Sequence, residues 1–453
     1  MASITERRVE SLAAVENERF VSDRPRSTAL LERARRTMPR GVPMSWMDDL
    51  YEHPPVWITH GEGAYFWDLD GHDYLDLYVA DMSAFCGHAP GPVVRAVAER
   101  MGRGNQFLLP SEDAVVVAEH LATRYGLPKW QFTLSATQAN TEVIRVARQA
   151  TGREAVLVFD GKYHGHLDET MVVLENGRVE PEYLGLPSGV EAKTQVVPFN
   201  DPDALERALA PRDVAVVLCE PALTNVGFLL PKPGFHDSLR RLTRDAGTLL
   251  AIDETHTLVT SYAGLARRWA LEPDLLTLGK SIAAGVPLGA YGMTDELARL
   301  LAAPEESNLV SGAATGEIAT GGTLFANALS LAAGRAALTE VLTEEAVERT
   351  AALGARLADG VRDAIAARGV PWSVTQEGAH AYYTFTPEPP YDGATSRAAD
   401  DPDLRAVMRV FMANRGVWES GWWLGPTVSV AHTEADIDRY LEVFDDFLAT
   451  AIG

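Results

Sequence analysis

The segment LLTLGKSIAAGVPLGAYG (residues 275–292) holds a single lysine, Lys280, in a run of apolar, small and glycine residues. The nearest acidic residue, Asp274, stands just before the segment. Burying an unpaired ammonium costs on the order of several kcal/mol, so a lysine kept in such a run is usually neutralised, paired or used chemically. Alternatively, its side chain extends along the apolar surface and reaches solvent. Only other residues of the chain can show which of these interpretations applies to Lys280.

Short apolar strands alternate with amphipathic helical stretches around this segment, between about residues 110 and 300. This alternation is typical of a mostly parallel sheet with helices on both faces. We therefore predict an α/β fold with a large domain of this kind at residues 86–335. Residues 1–85 are predicted to form an N-terminal arm of short helices and part of a smaller α+β domain, which residues 336–453 complete.

The composition excludes several classes of partner. The 63 acidic and 40 basic residues give a formal net charge of −23, which repels nucleic acid backbones and anionic membrane surfaces. The two cysteines, Cys86 and Cys219, make neither a disulfide framework nor the paired spacing of a zinc site, so we expect no metal. We find neither a signal peptide nor an apolar run long enough to span a bilayer, so the expected location is the cytoplasm.

Candidate functional residues follow the predicted strands, which is where open parallel sheets bind ligands. Ser135, Ala136 and Thr137 come after WQFTL at the start of a helix, where backbone N–H groups and hydroxyls can hold a phosphate. A Ser or Thr that only caps the helix would look the same and is the commoner case.

Aromatic and acidic residues follow three further strands. Tyr163 and His164 stand in the glycine-flanked DGKYHGH, Glu220 follows VAVVLC, and Asp253 and Glu254 follow TLLAI. A structural aromatic or a helix cap would explain any one of them. Acidic residues directly after two successive apolar strands are harder to explain by capping alone.

These residue types together meet the requirements of pyridoxal 5'-phosphate (PLP). That cofactor needs a lysine for a Schiff base, a carboxylate that keeps the pyridine nitrogen protonated, an aromatic ring stacked on its own ring, and a group of phosphate ligands. We therefore predict PLP as the cofactor and interpret the large domain as its binding domain.

The sequence resembles the class III (ω-type) aminotransferase family of fold-type I PLP enzymes, which includes the relatives of glutamate-1-semialdehyde aminomutase. The resemblance extends from about residue 55 to the C-terminus. Its most specific part pairs LAIDETHT (residues 250–257) with PDLLTLGKSIAAGVPLGAYG (residues 273–292), so that Asp253 precedes Lys280 by 27 residues (280 minus 253).

The resemblance implies a role for each matching residue. Lys280 would be the Schiff-base lysine and the base that moves the 1,3 proton, and Asp253 would be the partner of the pyridinium nitrogen. Ala136 and Thr137 would bind the phosphate, and Tyr163 would cover one face of the ring. The apolar setting of the lysine would favour the neutral amine that imine formation requires.

Further residues complete the implied site. Gly322 and Thr323 in ATGGTLFANALS resemble the segment that crosses a dimer interface to the neighbouring subunit's phosphate, which implies a homodimer with shared active sites. Glu220 would support the cofactor or order the surroundings of Asp253. The full set of predicted cofactor contacts is Ser135, Ala136, Thr137, Tyr163, His164, Glu220, Asp253, Thr255, His256, Lys280, Gly322 and Thr323.

Some positions depart from the family pattern. Gln138 stands where the family usually has an acidic residue, Thr255 where it has an aliphatic one, and His256 where it has Gln or Met. Thr255 would place a hydroxyl on the ring face opposite Tyr163, and His256 could reach the 3-oxygen of the cofactor.

The resemblance implies that the protein is a transaminase. It would move an amino group from a bulky or aromatic amine, or an amino acid, to a keto acid such as pyruvate by a ping-pong mechanism. The alternative is a PLP-dependent isomerase, either an aminomutase or an amino-acid racemase, which the same residues could serve. A binding protein without activity is a third possibility, against which the intact Lys280 and Asp253 argue.

The expected amine donor follows from apolar residues in two segments. Related enzymes that handle β-amino acids or semialdehydes tend to hold the substrate carboxylate with an arginine. Where that arginine is expected, this chain has Met44, Trp46, Trp422 and Trp423, which predict an apolar substrate pocket. Surface packing or a dimer interface would explain the tryptophans equally well. Arg40 and Arg415, which lie nearby in sequence, are candidates for binding a carboxylate.

Overall fold

The structure is a computed structural model that describes residues 4–50, 53–301, 318, 320–419 and 424–452. The chain divides into two compact units. The large unit comprises Gly91–Val347 and Tyr391–Arg397, and the small unit comprises Met1–Pro90, Glu348–Pro390 and Ala398–Gly453.

The strands and helices are numbered in chain order. The strands are β1 (Ile58–Glu62), β2 (Tyr65–Asp68), β3 (Asp73–Asp76), β4 (Lys129–Thr133), β5 (Ala155–Phe159), β6 (Val172–Glu175), β7 (Arg178–Pro181), β8 (Thr194–Val197), β9 (Val214–Cys219), β10 (Leu249–Asp253), β11 (Leu275–Leu278), β12 (Gly289–Met293), β13 (Ser373–Glu377), β14 (His380–Thr384) and β15 (Val417–Trp418). The helices are α1 (Glu6–Ser22), α2 (Pro25–Ala34), α3 (Trp46–Asp49), α4 (Gly91–Arg103), α5 (Glu112–Tyr125), α6 (Ala136–Thr151), α7 (Pro202–Leu209), α8 (Phe235–Ala246), α9 (Gly264–Arg268), α10 (Asp295–Ala298), α11 (Ala328–Ala336), α12 (Glu344–Arg368), α13 (Gly393–Ala399), α14 (Pro402–Ala413) and α15 (Glu434–Ile452).

A seven-stranded sheet in the order β4-β12-β11-β10-β9-β5-β8 forms the centre of the large unit. Strands β11, β10, β9, β5 and β8 run parallel to one another. Strand β12 is antiparallel to both of its neighbours, β11 and β4. The predicted α/β fold with a mostly parallel sheet is therefore confirmed.

The central strands are apolar because helices pack on them. All six residues of β9 are buried. Helix α6 packs against β9, β11 and β12, and α8 packs against β10. A strand covered on both faces has no need of alternating polar residues, so its polar neighbours collect at its ends. This is why the candidate site residues stand directly after uninterrupted apolar runs.

The small unit contains a four-stranded sheet, β1-β2-β3-β15, and the antiparallel pair β13-β14. Helix α1 has 17 residues and packs against α14 and α15. Its Phe20 is 1% exposed. The buried Arg24 donates to the Tyr74 hydroxyl at 2.8 Å and lies 3.6 Å from the Asp68 carboxylate. The N-terminal helix is thus part of the core of this unit.

Two further observations concern the chain as a whole. Among the described residues, no helix combines the length and the apolar character needed to cross a bilayer. Both Cys86 and Cys219 are buried free thiols. Burial raises the pKa of the Cys219 thiol, which keeps it protonated.

Leu218 lies in β9 at the centre of the large sheet and is fully buried. We expect Leu218→Ala to lower the free energy of unfolding by about 2–5 kcal/mol, because the lost methyl groups leave a cavity. The fully exposed Leu184 gives the matched control. Leu184→Ala should change the free energy of unfolding by no more than about 0.5 kcal/mol. Urea denaturation followed by circular dichroism measures both, and equal effects would contradict the assigned core.

Candidate active site

Polar side chains lie at the carboxyl ends of neighbouring parallel strands. Glu220 follows β9, Asp253 ends β10, and Lys280 follows β11. Strand β10 pairs with β9 on one side and β11 on the other, with Asp253 opposite Thr277. The register of the sheet therefore places these residues at one edge, although they are far apart in sequence.

Asp253 is a buried carboxylate that keeps its charge. It is 3% exposed. Nδ1 of His164 lies 2.9 Å from its Oδ2, and the Thr255 hydroxyl donates to its Oδ1 at 2.6 Å. Burial alone would raise the pKa of Asp253, but the hydrogen bonds from His164, Thr255 and Asn140 outweigh it and lower the pKa to about 2. The carboxylate is therefore negative throughout the neutral pH range.

Asn140 belongs to this cluster, although the sequence motifs did not indicate it. Its side-chain amide donates to Oδ2 of Asp253 at 2.8 Å and to the His164 carbonyl at 2.8 Å. The Thr277 hydroxyl donates to its Oδ1 at 2.8 Å, which fixes the orientation of the amide. A usable signal was present. Asparagine is unfavourable inside a helix without a specific partner, and Asn140 lies four residues after Ala136, on the same face of α6.

Lys280 has an unusual backbone conformation. Its φ is 49°, in the left-handed region that favours glycine, and it begins a short 3-10 turn, Lys280–Ala283. The preceding Gly279 packs so closely on α6 that a Cβ atom placed on it would lie 3.0 Å from the Cβ of Ala136. The half-buried Lys280 contacts Nε2 of His256 through its Nζ. Strained backbone of this kind concentrates at functional sites, so the interpretation of Lys280 as a lysine that merely extends to solvent is disfavoured.

Beyond His256, the polar contacts continue to Glu220. The Thr224 hydroxyl lies 2.6 Å from Nδ1 of His256 and donates to the Glu220 carboxylate. The Asn225 side chain donates to the other oxygen of Glu220 at 3.3 Å. Burial is the largest influence on Glu220 and raises its pKa to about 8, although the hydrogen bonds from Thr224 and Asn225 act in the opposite direction. Glu220 is thus connected to Lys280 through two side chains.

The start of α6 offers hydrogen-bond donors to an anion. Ser135 caps the helix, since its hydroxyl accepts from the backbone N–H of Gln138 at 3.4 Å. Thr137 Oγ1 accepts from the backbone N–H of His166 at 3.1 Å. Gly165, with a φ of 93°, packs on Thr137 so closely that a Cβ atom would lie 2.1 Å from Oγ1, and only glycine fits. The first N–H groups of a helix have no partner within it, and the helix dipole favours a negative charge there.

Other predicted residues lie at the surface of the large unit. Tyr163 is 47% exposed, and Gly322 and Thr323 are also exposed. The side chain of Gln106 donates to the Thr323 carbonyl. Their exposure leaves these residues accessible to a ligand or to a second subunit.

The predicted apolar pocket is not assembled by the described residues. Met44 and Trp46 belong to the small unit and are 45% and 47% exposed. Trp422 and Trp423 lie outside the described residues. The pocket role of all four therefore stays a prediction.

Both candidate arginines have acidic partners within the small unit. Arg40 forms an ion pair with Asp49. Arg415 lies 3.1 Å from Glu16, and its guanidinium carbon lies 3.2 Å from the ring centroid of Phe411. Each guanidinium is thus already engaged by a carboxylate.

The side chains at the strand ends fit the chemistry of PLP. A buried carboxylate of low pKa, Asp253, suits a protonated ring nitrogen, and a helix start suits a phosphate. Lys280 supplies an amine within the same edge of the sheet. These groups come from the ends of β10 and β11 and from the start of α6, so the fold holds them at fixed positions relative to one another.

Comparisons with known proteins agree with this interpretation. Residues 47–400 match the family described as Aminotransferase class-III. A glutamate-1-semialdehyde 2,1-aminomutase from Desulfitobacterium hafniense is 34% identical over 438 residues, which cover 93% of this chain and 98% of the relative. The crystal structure of a glutamate-1-semialdehyde-aminomutase from Pseudomonas aeruginosa PAO1 is 38% identical, covers 99% of both chains and has a TM-score of 0.93. A lysine-to-alanine variant of that enzyme, in complex with PMP, has the same TM-score of 0.93.

These findings correct the main functional prediction. Both of these relatives are named as aminomutases, so the prediction of a transaminase that moves an amino group from a bulky or aromatic amine to pyruvate is wrong. The isomerase alternative is better supported. The donor part of that prediction depended on an apolar pocket that stays untested, because Trp422 and Trp423 lie outside the described residues.

The predicted cofactor, in contrast, is confirmed. The family is one of PLP enzymes that act on small molecules, and the related structure in complex with PMP agrees with that assignment. Since the match extends over most of the sequence and over the whole fold, this chain belongs to the class III aminotransferase family.

Proposed function

We propose that this protein is a PLP-dependent aminomutase that moves an amino group between two carbons of one small molecule. The observation that supports this most strongly is the 38% identity and TM-score of 0.93 to a glutamate-1-semialdehyde-aminomutase over 99% of both chains. By that similarity, the substrate class is an amino semialdehyde that carries a carboxylate. No second small molecule is then required as an amino acceptor.

We assign Asp253 to the ring nitrogen of PLP. When bound, the cofactor supplies an electron sink for the charge left at a substrate carbon that has lost a proton. A neighbouring negative charge stabilises the proton on the ring nitrogen. The hydrogen bonds from His164, Thr255 and Asn140 keep Asp253 in this charged form although it is buried.

Lys280 is the residue that we assign to proton transfer. An aminomutase must take a proton from one carbon and return one to a neighbouring carbon, so its base must reach both. The long side chain of lysine allows this. The backbone of Lys280 is fixed by its left-handed conformation and by the close packing of Gly279 on Ala136, so any movement belongs to the side chain.

The remaining cofactor contacts follow the same assignment. The start of α6, with Ser135, Ala136 and Thr137, would hold the phosphate through backbone N–H groups and a hydroxyl. Tyr163, which is 47% exposed, is available to cover one face of the ring. Glu220 would support the site through its hydrogen bond from Thr224.

We also propose that the protein is a homodimer with shared active sites. Segment 322–323 would reach the neighbouring subunit's phosphate. Phe107, Leu108 and Leu109 are 52%, 71% and 71% exposed and follow Gln106, whose side chain is hydrogen-bonded to that segment. A run of exposed apolar side chains is typical of a protein interface. A second copy of the chain that covered this run would also contact segment 322–323.

The reaction distinguishes an aminomutase from a transaminase. We expect the PLP-loaded protein to convert glutamate-1-semialdehyde into an isomer of the same mass without any added keto acid. Lys280→Ala should lower turnover at least about 100-fold, because the base is lost. Lys193, whose side chain is 60% exposed, gives a control, and Lys193→Ala should keep full activity. Chromatography with mass detection measures the product, and turnover that requires both an amine and a keto acid would refute the proposal.

Asp253→Asn tests the charge at the ring nitrogen. The substitution keeps the shape of the side chain and should allow PLP to bind. Turnover should fall about 100- to 1000-fold, the size expected when a preorganised electrostatic group is removed. The measurement is kcat together with the PLP content of the protein. Asp295→Asn, at an exposed position, is the control, and wild-type turnover in Asp253→Asn would show that the assignment is incorrect.

Mixed dimers test the shared sites. Thr323→Ala and Lys280→Ala each impair every site of their own homodimers if the assignments hold. In a shared-site hybrid, one site carries both substitutions and the other carries neither. Random mixing should therefore restore about a quarter of wild-type activity. Activity of the mixture that does not exceed the average of the two homodimers would count against shared sites.

A further inference from the structure

A continuous line of polar side chains runs from Glu220 to Lys280 within the large unit. The Thr224 hydroxyl donates to the Glu220 carboxylate and lies 2.6 Å from Nδ1 of His256. The other ring nitrogen of His256, Nε2, contacts Nζ of Lys280. Glu220, Thr224 and His256 are 3%, 0% and 6% exposed. A proton that leaves Lys280 toward His256 thus has a path through side chains that are shielded from bulk water.

The protons along this line of side chains can be placed in two arrangements in which every hydrogen bond has one donor and one acceptor. A threonine hydroxyl carries one proton and donates it to one neighbour at a time. When Thr224 donates to a charged Glu220, His256 carries its proton on Nδ1, and its bare Nε2 accepts from a Lys280 ammonium. When Glu220 is a protonated acid that donates to Thr224, the hydroxyl donates to Nδ1, and the N–H at Nε2 donates to a neutral Lys280 amine.

We propose that Glu220, Thr224 and His256 form a proton relay for Lys280, an inference that rests on the proposed role of Lys280 as the base. In the forward step, an N–H bond of the Lys280 ammonium breaks and an N–H bond forms at Nε2 of His256. Nδ1 gives its proton to the Thr224 oxygen, whose own proton passes to Glu220. An ammonium and a carboxylate thereby become a neutral amine and a neutral acid, and the reverse step returns the proton.

The surroundings of Glu220 favour such an exchange. Burial raises its pKa to about 8, and the negative Asp253 acts in the same direction, so Glu220 gains and loses a proton close to pH 8. Asp253 is itself hydrogen-bonded to His164. The adjacent Cys219 is a neutral thiol because burial raises its pKa. Burial likewise lowers the pKa of His236 to about 4, so this histidine, which is bonded to the carbonyl of the residue after Glu220, is neutral.

The resemblance to the class III aminotransferases implies Gln or Met at position 256, where this chain has His. Neither a Gln nor a Met side chain can accept and release a proton at neutral pH, whereas His can. The relay therefore depends on His256, whose place neither Gln nor Met could take.

Capture of PLP by the full-length enzyme, after removal of its cofactor, tests the relay because capture needs a neutral Lys280 amine and no substrate. We expect the wild-type capture rate, followed by absorbance in a stopped-flow instrument, to stay high down to about pH 8 and to fall below it, where Glu220 already carries a proton and cannot accept another. His256→Gln should make capture at pH 8 at least about tenfold slower, which corresponds to a shift of about one pH unit. The rates should converge at strongly alkaline pH, where hydroxide can take up the proton directly.

Two substitutions at Thr224 complete the test. Thr224→Ala should reproduce the shift, and Thr224→Ser, which restores the hydroxyl, should return the wild-type pH profile. An unchanged profile in His256→Gln, or equal slowing at every pH as expected from structural damage, would overturn the relay. Because no substrate is used, failure of the proposed aminomutase reaction would leave this result unaffected. Failure of the relay would equally leave the substrate test unaffected.

Discussion

The charge on Asp253 is the constraint on which the rest of the site depends. A carboxylate taken out of water is destabilised by on the order of several kcal/mol unless hydrogen bonds replace its hydration. His164, Thr255 and Asn140 supply those bonds, and they come from the loop after β5, the turn after β10 and helix α6. A single buried charge therefore links three separate parts of the large unit, and a cofactor with a protonated ring nitrogen is its natural counterpart.

The parallel sheet makes this arrangement possible. Parallel strands end at the same edge, so Glu220, Asp253 and Lys280 become neighbours without any need for proximity in sequence. The strained backbone at Lys280 persists because the buried strands around it and the contact of Gly279 with α6 fix its position. The packing of the core therefore fixes the positions of the reactive side chains at its edge.

Much of this could be predicted from the sequence because the decisive signals are local. The all-apolar run VAVVLC predicts a covered strand, and the motifs around Asp253 and Lys280 carry the resemblance to the family, which implies its cofactor. Asn140 carried a signal as an asparagine inside a helix, but that signal does not reveal its partner. Thr224 carried none, because a Thr in a loop resembles many that only satisfy local hydrogen bonds. Their importance appears only when strands distant in sequence are placed side by side.

Substrate preference was harder to predict, because it depends on how loops are arranged in space. Met44 and Trp46 are substantially exposed in the small unit, and Trp422 and Trp423 lie outside the described residues, so the apolar pocket that all four suggested stays a prediction.

The central claim is that the amino group passes only between the substrate and its isomer and is not exchanged with a separate amine or keto acid. The most direct measurement uses glutamate-1-semialdehyde labelled with the heavy nitrogen isotope, in the presence of excess unlabelled alanine and pyruvate. Our account predicts that, after the first turnover, the isomeric product carries the label undiluted and that alanine gains none. Dilution of the product by unlabelled nitrogen, or labelled alanine formed from pyruvate, would contradict it.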